Sequence, residues 1–366
     1  MTSRILKLNI AMTALVALAV PLQLPAQTYT TFDAPAAIAT IPNSVTQSGV
    51  VAGEYYDANF VQHGFLRAAD GAFTTFDGPD AQVTVAQSIN QPGEIAGYYR
   101  DANTVYHGFL RAVDGTITTI DPPTSIFTLA ASINQGGAIT GYWESPAAEP
   151  GLTTCFLRAA DGTFTTFSPP GSFSSNCLAI NNDGVIAGYY IDASIVAHGF
   201  LRAADGTFTT IDVPGAGTGG FGFTPIGGIF QGTVADAINQ AGTITGFWVD
   251  ANFLMHGFVR AADGTITTFD ASPNSFTFPG AINPAGEIAG YWCDSAFNTC
   301  HGFLRTAEGV ITSFDPPGSI QTFPNNTFNG GFGTNNQVSV GINPAGAFTG
   351  SYFDENFNVH GFVCTP

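Results

Sequence analysis

The sequence predicts an all-β fold, a seven-bladed β-propeller of four-stranded antiparallel blades, and three observations carry that expectation. Two phrases alternate along almost the whole chain, Ser88-Ile-Asn-Gln-Pro-Gly-Glu-Ile-Ala-Gly-Tyr-Tyr99 and His63-Gly-Phe-Leu-Arg-Ala-Ala-Asp-Gly-Ala-Phe-Thr-Thr-Phe-Asp77. The central residue of the first phrase falls at Val45, Ile89, Ile133, Ile180, Ile238, Ile282 and Ile342, with spacings of 44, 44, 47, 58, 44 and 60. A unit of 40–50 residues built from short strands is the signature of a propeller blade. The Thr-Thr-Phe-Asp element that ends the second phrase occurs first at Thr30–Asp33, ahead of every other element.

Each unit divides into four strands, here called a to d. In the second unit a is Val85–Asn90, b is Glu94–Tyr99, c is His107–Ala112 and d is Thr116–Asp121. All four are rich in Ile, Val, Thr, Phe and Tyr and are bounded by Gly, Pro, Asn or Asp. Asn-x-x-Gly between a and b is a tight turn in which Gly is free to take positive φ. Asp-Gly between c and d predicts a two-residue hairpin of the primed type. That register sets Phe65 opposite Phe76 and Arg67 opposite Thr74.

The last unit supplies strands a, b and c but no d, and residues 28–33 are the missing strand. Sharing one blade between the two ends closes a ring and removes exposed sheet edges. The same register then sets Phe32 opposite Phe362 and Cys364 opposite Thr30.

The first residues read as a secretory signal, 1–26, followed by a single domain, 27–366. Arg4 and Lys7 form a basic start, Ile10 to Val20 is apolar, and Leu24-Pro-Ala26 offers a cleavage site. The apolar run is too short for a membrane span. The expected location is therefore secreted, periplasmic or cell-surface, with no membrane span.

Charge excludes some partners. Nine basic and 27 acidic residues give −18, and without Arg4 and Lys7 the balance is 7 − 27 = −20. No Lys remains beyond residue 26. Nucleic-acid binding needs a basic surface that displaces counterions, and this chain has none.

The alternation of Ile-Asn-x-x-Gly-x-Ile-Ala-Gly-Tyr-Tyr with His-Gly-Phe-Leu-Arg-x-x-Asp-Gly resembles the HAF-type repeats of bacterial extracellular proteins, with His-Gly-Phe in place of His-Ala-Phe. The resemblance covers essentially all of residues 28–366. It implies secretion and a propeller-like repeat fold, and no established activity. A weaker similarity is to propellers of the streptogramin lyase type.

All six His share one slot: His63, His107, His198, His256, His301 and His360. One His per blade, on the third strand out, cannot converge on a metal, so the slot reads as structural. The expected partner is the aspartate after each Gly-Tyr-Tyr: Asp57, Asp101, Asp192, Asp250, Asp294 and Asp354. Unit three has Glu144 and Thr154 instead, so both members are lost together. The rival reading is calcium at loops such as Asp57-Ala-Asn59, which lack the oxygen-rich spacing and closing Glu of a calcium loop. No metal or other cofactor is expected.

Six Arg share a second slot, Arg67, Arg111, Arg158, Arg202, Arg260 and Arg305, each before a hairpin carrying Asp or Glu. They read as held between blades and paired with those carboxylates. Of the five Cys, Cys293 and Cys300 flank the b–c hairpin of unit six. Cys155 and Cys177 pair by elimination, which leaves Cys364 free.

The departures from the repeat carry the functional expectation. Insertions 215–235 and 317–338 lengthen two d–a connections and bring Phe221, Phe223, Phe230, Phe323, Phe328 and Phe332 to one face. Long loops on a rigid scaffold are where binding resides. The expected function is an extracellular binding or interaction module for carbohydrate or peptide, acting as a monomer. The alternatives are a propeller-type lyase or hydrolase on an extracellular substrate, and a structural envelope or matrix protein. An enzyme should break the repeat with polar residues near the axis, whereas the deviations here are mostly aromatic, Gly or Cys.

Overall fold

The computed structural model describes residues 27–146, 151–224, 227–323 and 341–366, and among them there are strands and turns but no helix. The proposed signal lies outside the described residues. Unit one is the meander Ala39–Val45, Val51–Tyr56, Gln62–Arg67 and Phe73–Phe76. Unit two repeats it as Val83–Ile89, Ile95–Arg100, Tyr106–Arg111 and Ile117–Thr119. Each strand lies within a few residues of its expected position. Units three to six begin with strands Phe127–Ile133, Ser172–Ile180, Gly232–Ile238 and Ser275–Ile282.

The b strands approach the a strands closely because glycine allows it. A Cβ on Gly97 would lie 2.0 Å from the carbonyl oxygen of Val85. The a strand itself is bulged at one equivalent point in every unit where it is described, for example between Pro42 and Ser44 and between Ala235 and Ala237. A bulge re-aims one side chain out of the pleat, here Asn43, Gln87, Ala131, Leu178, Asp236 or Gly280.

The c–d hairpins differ from the expected type. Ala68 N–H donates to Ala72 O at 2.8 Å and Gly71 N–H donates to Ala68 O at 2.9 Å. Three residues, not two, make the loop, with Gly71 at φ 95°. This is a type I turn closed by a glycine bulge. The extra residue moves the register by one, so Phe76 faces Gly64, Phe65 faces Thr75 and Arg67 faces Phe73. Phe76 then lies over the bare Gly64, which has no side chain to displace it.

The same offset appears at the chain ends. Strand Thr28–Phe32 pairs antiparallel with Val359–Thr365, setting Phe32 against Gly361, Thr31 against Phe362 and Tyr29 against Cys364. Both expected pairs are displaced by one position. Ala39 of unit one also pairs in parallel with Val359, as Val83 does with Gln62 and Phe127 with Tyr106.

A chain of side-chain amides links the units where a meets b. Asn90 Nδ2 donates to Asn134 O, Asn134 to Asn181 O, Asn181 to Asn239 O, Asn239 to Asn283 O and Asn283 to Asn343 O, all at 3.1–3.3 Å. Asn343 Nδ2 then donates to Thr46 O at 3.1 Å, 297 residues earlier. Each Asn meanwhile accepts from its own turn, as Asn90 Oδ1 does from Glu94 N–H at 2.9 Å. One residue thus closes a turn and joins two units.

Candidate binding face

In a meander, the b–c loops and d–a connections emerge on one face and the a–b and c–d turns on the other. The loop face is built from a repeated unit. In Asp57-Ala-Asn-Phe-Val61 the Asp57 carboxylate accepts from Asn59 N–H at 2.9 Å and Val61 N–H at 2.8 Å. Those backbone donors, Val61 foremost, hold the Asp57 carboxyl below its usual range. Backbone donors serve the carboxylate in the same way in the Asp101, Asp250 and Asp354 loops. No group of three or more His, Cys, Asp or Glu among the described residues could hold a metal ion.

Closing this loop forces its fourth residue into the left-handed region. Phe60 has φ 61°, Phe253 64° and Phe357 63°, and Ile195 in the same position has 64°. Bulky residues rarely adopt that conformation. Phe253 and Ile195 lie against the central apolar cluster, and Phe297 of unit six stacks on Phe276 with centroids 4.5 Å apart. Phe60 and Phe357 project outward, 77% and 72% exposed.

Each His has a carboxylate closer than the expected loop aspartate, which itself stands 3.4–3.9 Å from Nε2 in five of the six units. His63 Nδ1 lies 2.9 Å from Asp77 Oδ1, whereas Nε2 is 3.9 Å from Asp57. The aspartate that ends each d strand makes the short contact, as with His107–Asp121 at 2.7 Å, His198–Asp212 at 2.8 Å, His256–Asp270 at 2.7 Å and His301–Asp315 at 2.8 Å. The loop aspartates Asp101, Asp192, Asp250 and Asp354 stand at 3.4–3.8 Å from Nε2. The loop aspartate is occupied by its own backbone, which is why it reaches the ring less closely. In unit six the pair of His301 is Asp315, and Asp294 instead accepts from Ala296 and Asn298 N–H and from Thr299 Oγ1.

Each imidazole also stacks on the aromatic residue directly across from it in strand b. The centroid distances are 5.0 Å for Tyr55–His63 and 4.3 Å for Trp248–His256. Donating a hydrogen bond to Asp270 raises the pKa of His256 against the opposing effect of burial.

The arginines belong to the opposite face, and their contact is aromatic. Arg67 Cζ sits 4.6 Å from the Phe32 centroid, Arg111 4.9 Å from Phe76, Arg202 4.4 Å from Phe167 and Arg305 4.9 Å from Phe269. Each ring belongs to the preceding unit, so the guanidinium is held between units, as expected, but by stacking rather than by an ion pair. The turn aspartate is instead consumed by its own hairpin: Asp114 Oδ1 accepts from Thr116 N–H at 2.9 Å.

The first insertion forms a hairpin, Phe221–Thr224 with Gly227–Phe230, which carries Phe221, Phe223 and Phe230. Phe230 packs against the central cluster. The buried Gln231 anchors the hairpin, accepting from Gly219 N–H and donating to Ala251 O. The second insertion enters as strand Gln321–Phe323, and Phe328 and Phe332 lie outside the described residues. Cys155–Cys177 and Cys293–Cys300 are disulfide-bonded and Cys364 is a buried free thiol. Burial raises the Cys364 thiol to about 11.

Polar residues near the axis escaped sequence reasoning. Asn43 donates to the buried Glu54 and to Ala86 O. Asp236 sits at the bulge of its a strand, buried, with neither carboxyl oxygen hydrogen-bonded. Burial raises its pKa well above the carboxylate range, and it helps push the buried Tyr189, chiefly desolvated, up to about 12. Its only sequence signal is a charged residue where unit four has Leu178 and unit three Ala131.

The chain matches no protein-family model and no curated protein sequence. Among solved structures it is similar to the β-propeller domain of the trilobed protease from Pyrococcus furiosus, described as having an open velcro topology. There the identity is 9% and the TM-score 0.58, over 88% of this chain and 95% of that one. It is also similar to puromycin hydrolase, at 11% identity and a TM-score of 0.52, over 88% of this chain and 52% of that one. At these identities the likeness is one of fold, and the chain is a β-propeller protein.

Proposed function

We propose that the chain is a secreted, closed seven-bladed propeller of the HAF-repeat kind. In this reading it serves as an extracellular binding module through the face of b–c loops and d–a connections. Support for closure comes from the strand pairing of residues 28–32 with 359–365 and from the amide chain that returns from Asn343 to Thr46. Support for an oxidising location comes from the two disulfides and from the signal-like first 26 residues.

The observation that carries the binding reading is where apolar side chains are exposed. Of the eight large exposed hydrophobics among the described residues, Ile38, Phe60, Ile126, Phe173, Ile320 and Phe357 lie on the loop face. Val113 and Val310 lie at the c–d hairpins of the other face. Apolar exposure gathered on one side of a soluble scaffold marks an interaction surface. A hydrolase reading has less support, because the unpartnered axial carboxyl Asp236 has no hydrogen-bonded base.

The test is a screen of the purified protein against arrayed glycans and arrayed peptides, beside the variant Phe60→Asn/Phe357→Asn. Binding by the native chain that the variant loses is the expected result. No binding to either array, or equal binding by the variant, overturns the proposal.

A further inference from the structure

Resting on that reading of the loop face, we infer from charge that its partner is a cationic, partly apolar polypeptide segment rather than a neutral glycan. The six Arg of the repeat slot have all been placed elsewhere. The Arg of the repeat slot end the c strands, next to the hairpins of the opposite face, as Arg67 and Arg111 do. There the carboxylates of Asp70, Asp114, Asp161, Asp205, Asp263 and Glu308 match them in number, and the a–b turns of the same face add Glu94, Asp183 and Glu287. Beyond residue 26 the sequence has one further cation, Arg100, at the loop end of its strand.

The loop face receives two aspartates from nearly every unit, one ending strand d and one opening the b–c loop. Six strand-end aspartates are hydrogen-bonded to His Nδ1, and all but Asp121 remain substantially open, with Asp33, Asp77 and Asp212 side chains 49%, 46% and 56% exposed. Six loop aspartates stand beside them, with Glu355 exposed at the tip next to Phe357. Even with every His protonated and Arg100 counted, seven positive charges meet thirteen carboxylates, the twelve aspartates and Glu355.

The apolar residues stand within this field. Phe60 and Phe357 occupy the same loop position in two units joined by the Ala39–Val359 pairing, and both rings are exposed. A surface that is apolar in patches and predominantly negative between them complements alternating basic and apolar side chains. Like charges repel acidic partners, and the field speeds the encounter with basic ones. A neutral sugar would gain nothing from the long-range field.

The experiment measures fluorescence anisotropy of a short labelled peptide of alternating lysine and leucine, with a glutamate–leucine peptide and soluble neutral oligosaccharides as competing probes. The native protein should bind the lysine peptide and not the glutamate peptide. Its affinity should fall roughly tenfold or more between low and physiological salt, because exposed charges are screened. Phe60→Asn/Phe357→Asn, which folds to the same circular dichroism spectrum, should lose about tenfold again. Absence of lysine-peptide binding, salt-independent binding, or an unaffected variant overturns the inference. If the oligosaccharides bind in a Phe60- and Phe357-dependent way while the peptide does not, the partner class falls and the loop-face reading stands. If nothing binds, both fall.

Discussion

His360 and Asp33 are 327 residues apart in sequence, yet the imidazole Nδ1 lies 2.9 Å from the carboxylate. The contact has the same form as His63–Asp77 within one hairpin. The two chain ends therefore make, between themselves, a contact that every other His makes locally.

That equivalence separates two contributions at the seam. Asp33→Asn should cost only a few tenths to about 1 kcal/mol, because the pair is half-exposed and screened. Deleting residues 27–33 removes Phe32 from its apolar site and a five-residue strand pairing. That loss should be about 3 kcal/mol or more, since burial of one Phe alone contributes about 1.5–3 kcal/mol. Urea unfolding of both variants checks this. Equal, small losses would show that the terminal strand contributes little to stability.

The arginine slot leads to a different contrast. In Arg111 the guanidinium is buried over the Phe76 ring, while Asp114 caps its own turn. Arg111→Lys should cost about 0.5–1 kcal/mol, because an ammonium cannot reproduce the planar stacking. Asp114→Asn should change stability far less, as an amide oxygen still accepts from Thr116. If the two substitutions cost the same in denaturant titrations, the ion-pair reading is restored.

The arginine and histidine slots also show what could be read from the sequence and what could not. Strand positions were legible because period-2 apolar patterning and Gly or Asn punctuation are local properties. The His partner was equally accessible: His and the d-strand Asp stand 14 residues apart in five units. In unit three Thr154 and Ser168 replace both at that same spacing. Two aspartates per unit satisfied the pattern, and only the backbone demand of the b–c loop decides between them. Register was missed by one because Asp-Gly suits both a two-residue primed turn and a type I turn with a glycine bulge. Asp236 showed only as a charge at a position where other units carry Leu178 or Ala131, and its burial could not be read because a bulge is invisible until strands are paired.

Asp236 should make stability depend on pH. Its folded-state pKa is raised by burial, so the folded chain keeps a proton that the unfolded chain releases above its ordinary value of about 4. Stability from this group is then lost as pH rises above that value. Asp236→Leu gives unit five the residue that unit four carries at the same bulge, Leu178. The substitution should therefore stabilise by about 1–3 kcal/mol at pH 8, the cost of a buried unsatisfied polar group. The gain should shrink towards pH 4. Unfolding free energies of both chains at the two pH values test it, and a pH-independent difference would mean that Asp236 does not titrate.

The loop-tip phenylalanines should show the opposite trade. Phe357 holds φ 63° with its ring exposed, so its conformation is unfavourable and little burial offsets it. Asn tolerates the left-handed region far better, and the left-handed penalty for an L-residue is about 1–2 kcal/mol. Phe357→Asn should thus raise stability by about 0.5–1 kcal/mol, as should Phe60→Asn. Phe297→Asn should destabilise instead, because its ring stacks on Phe276. Residues kept strained and exposed fit selection for contact rather than for folding. Thermal unfolding of the three single variants decides the matter. A loss of stability at Phe60 or Phe357 would show that those rings are held by the fold itself.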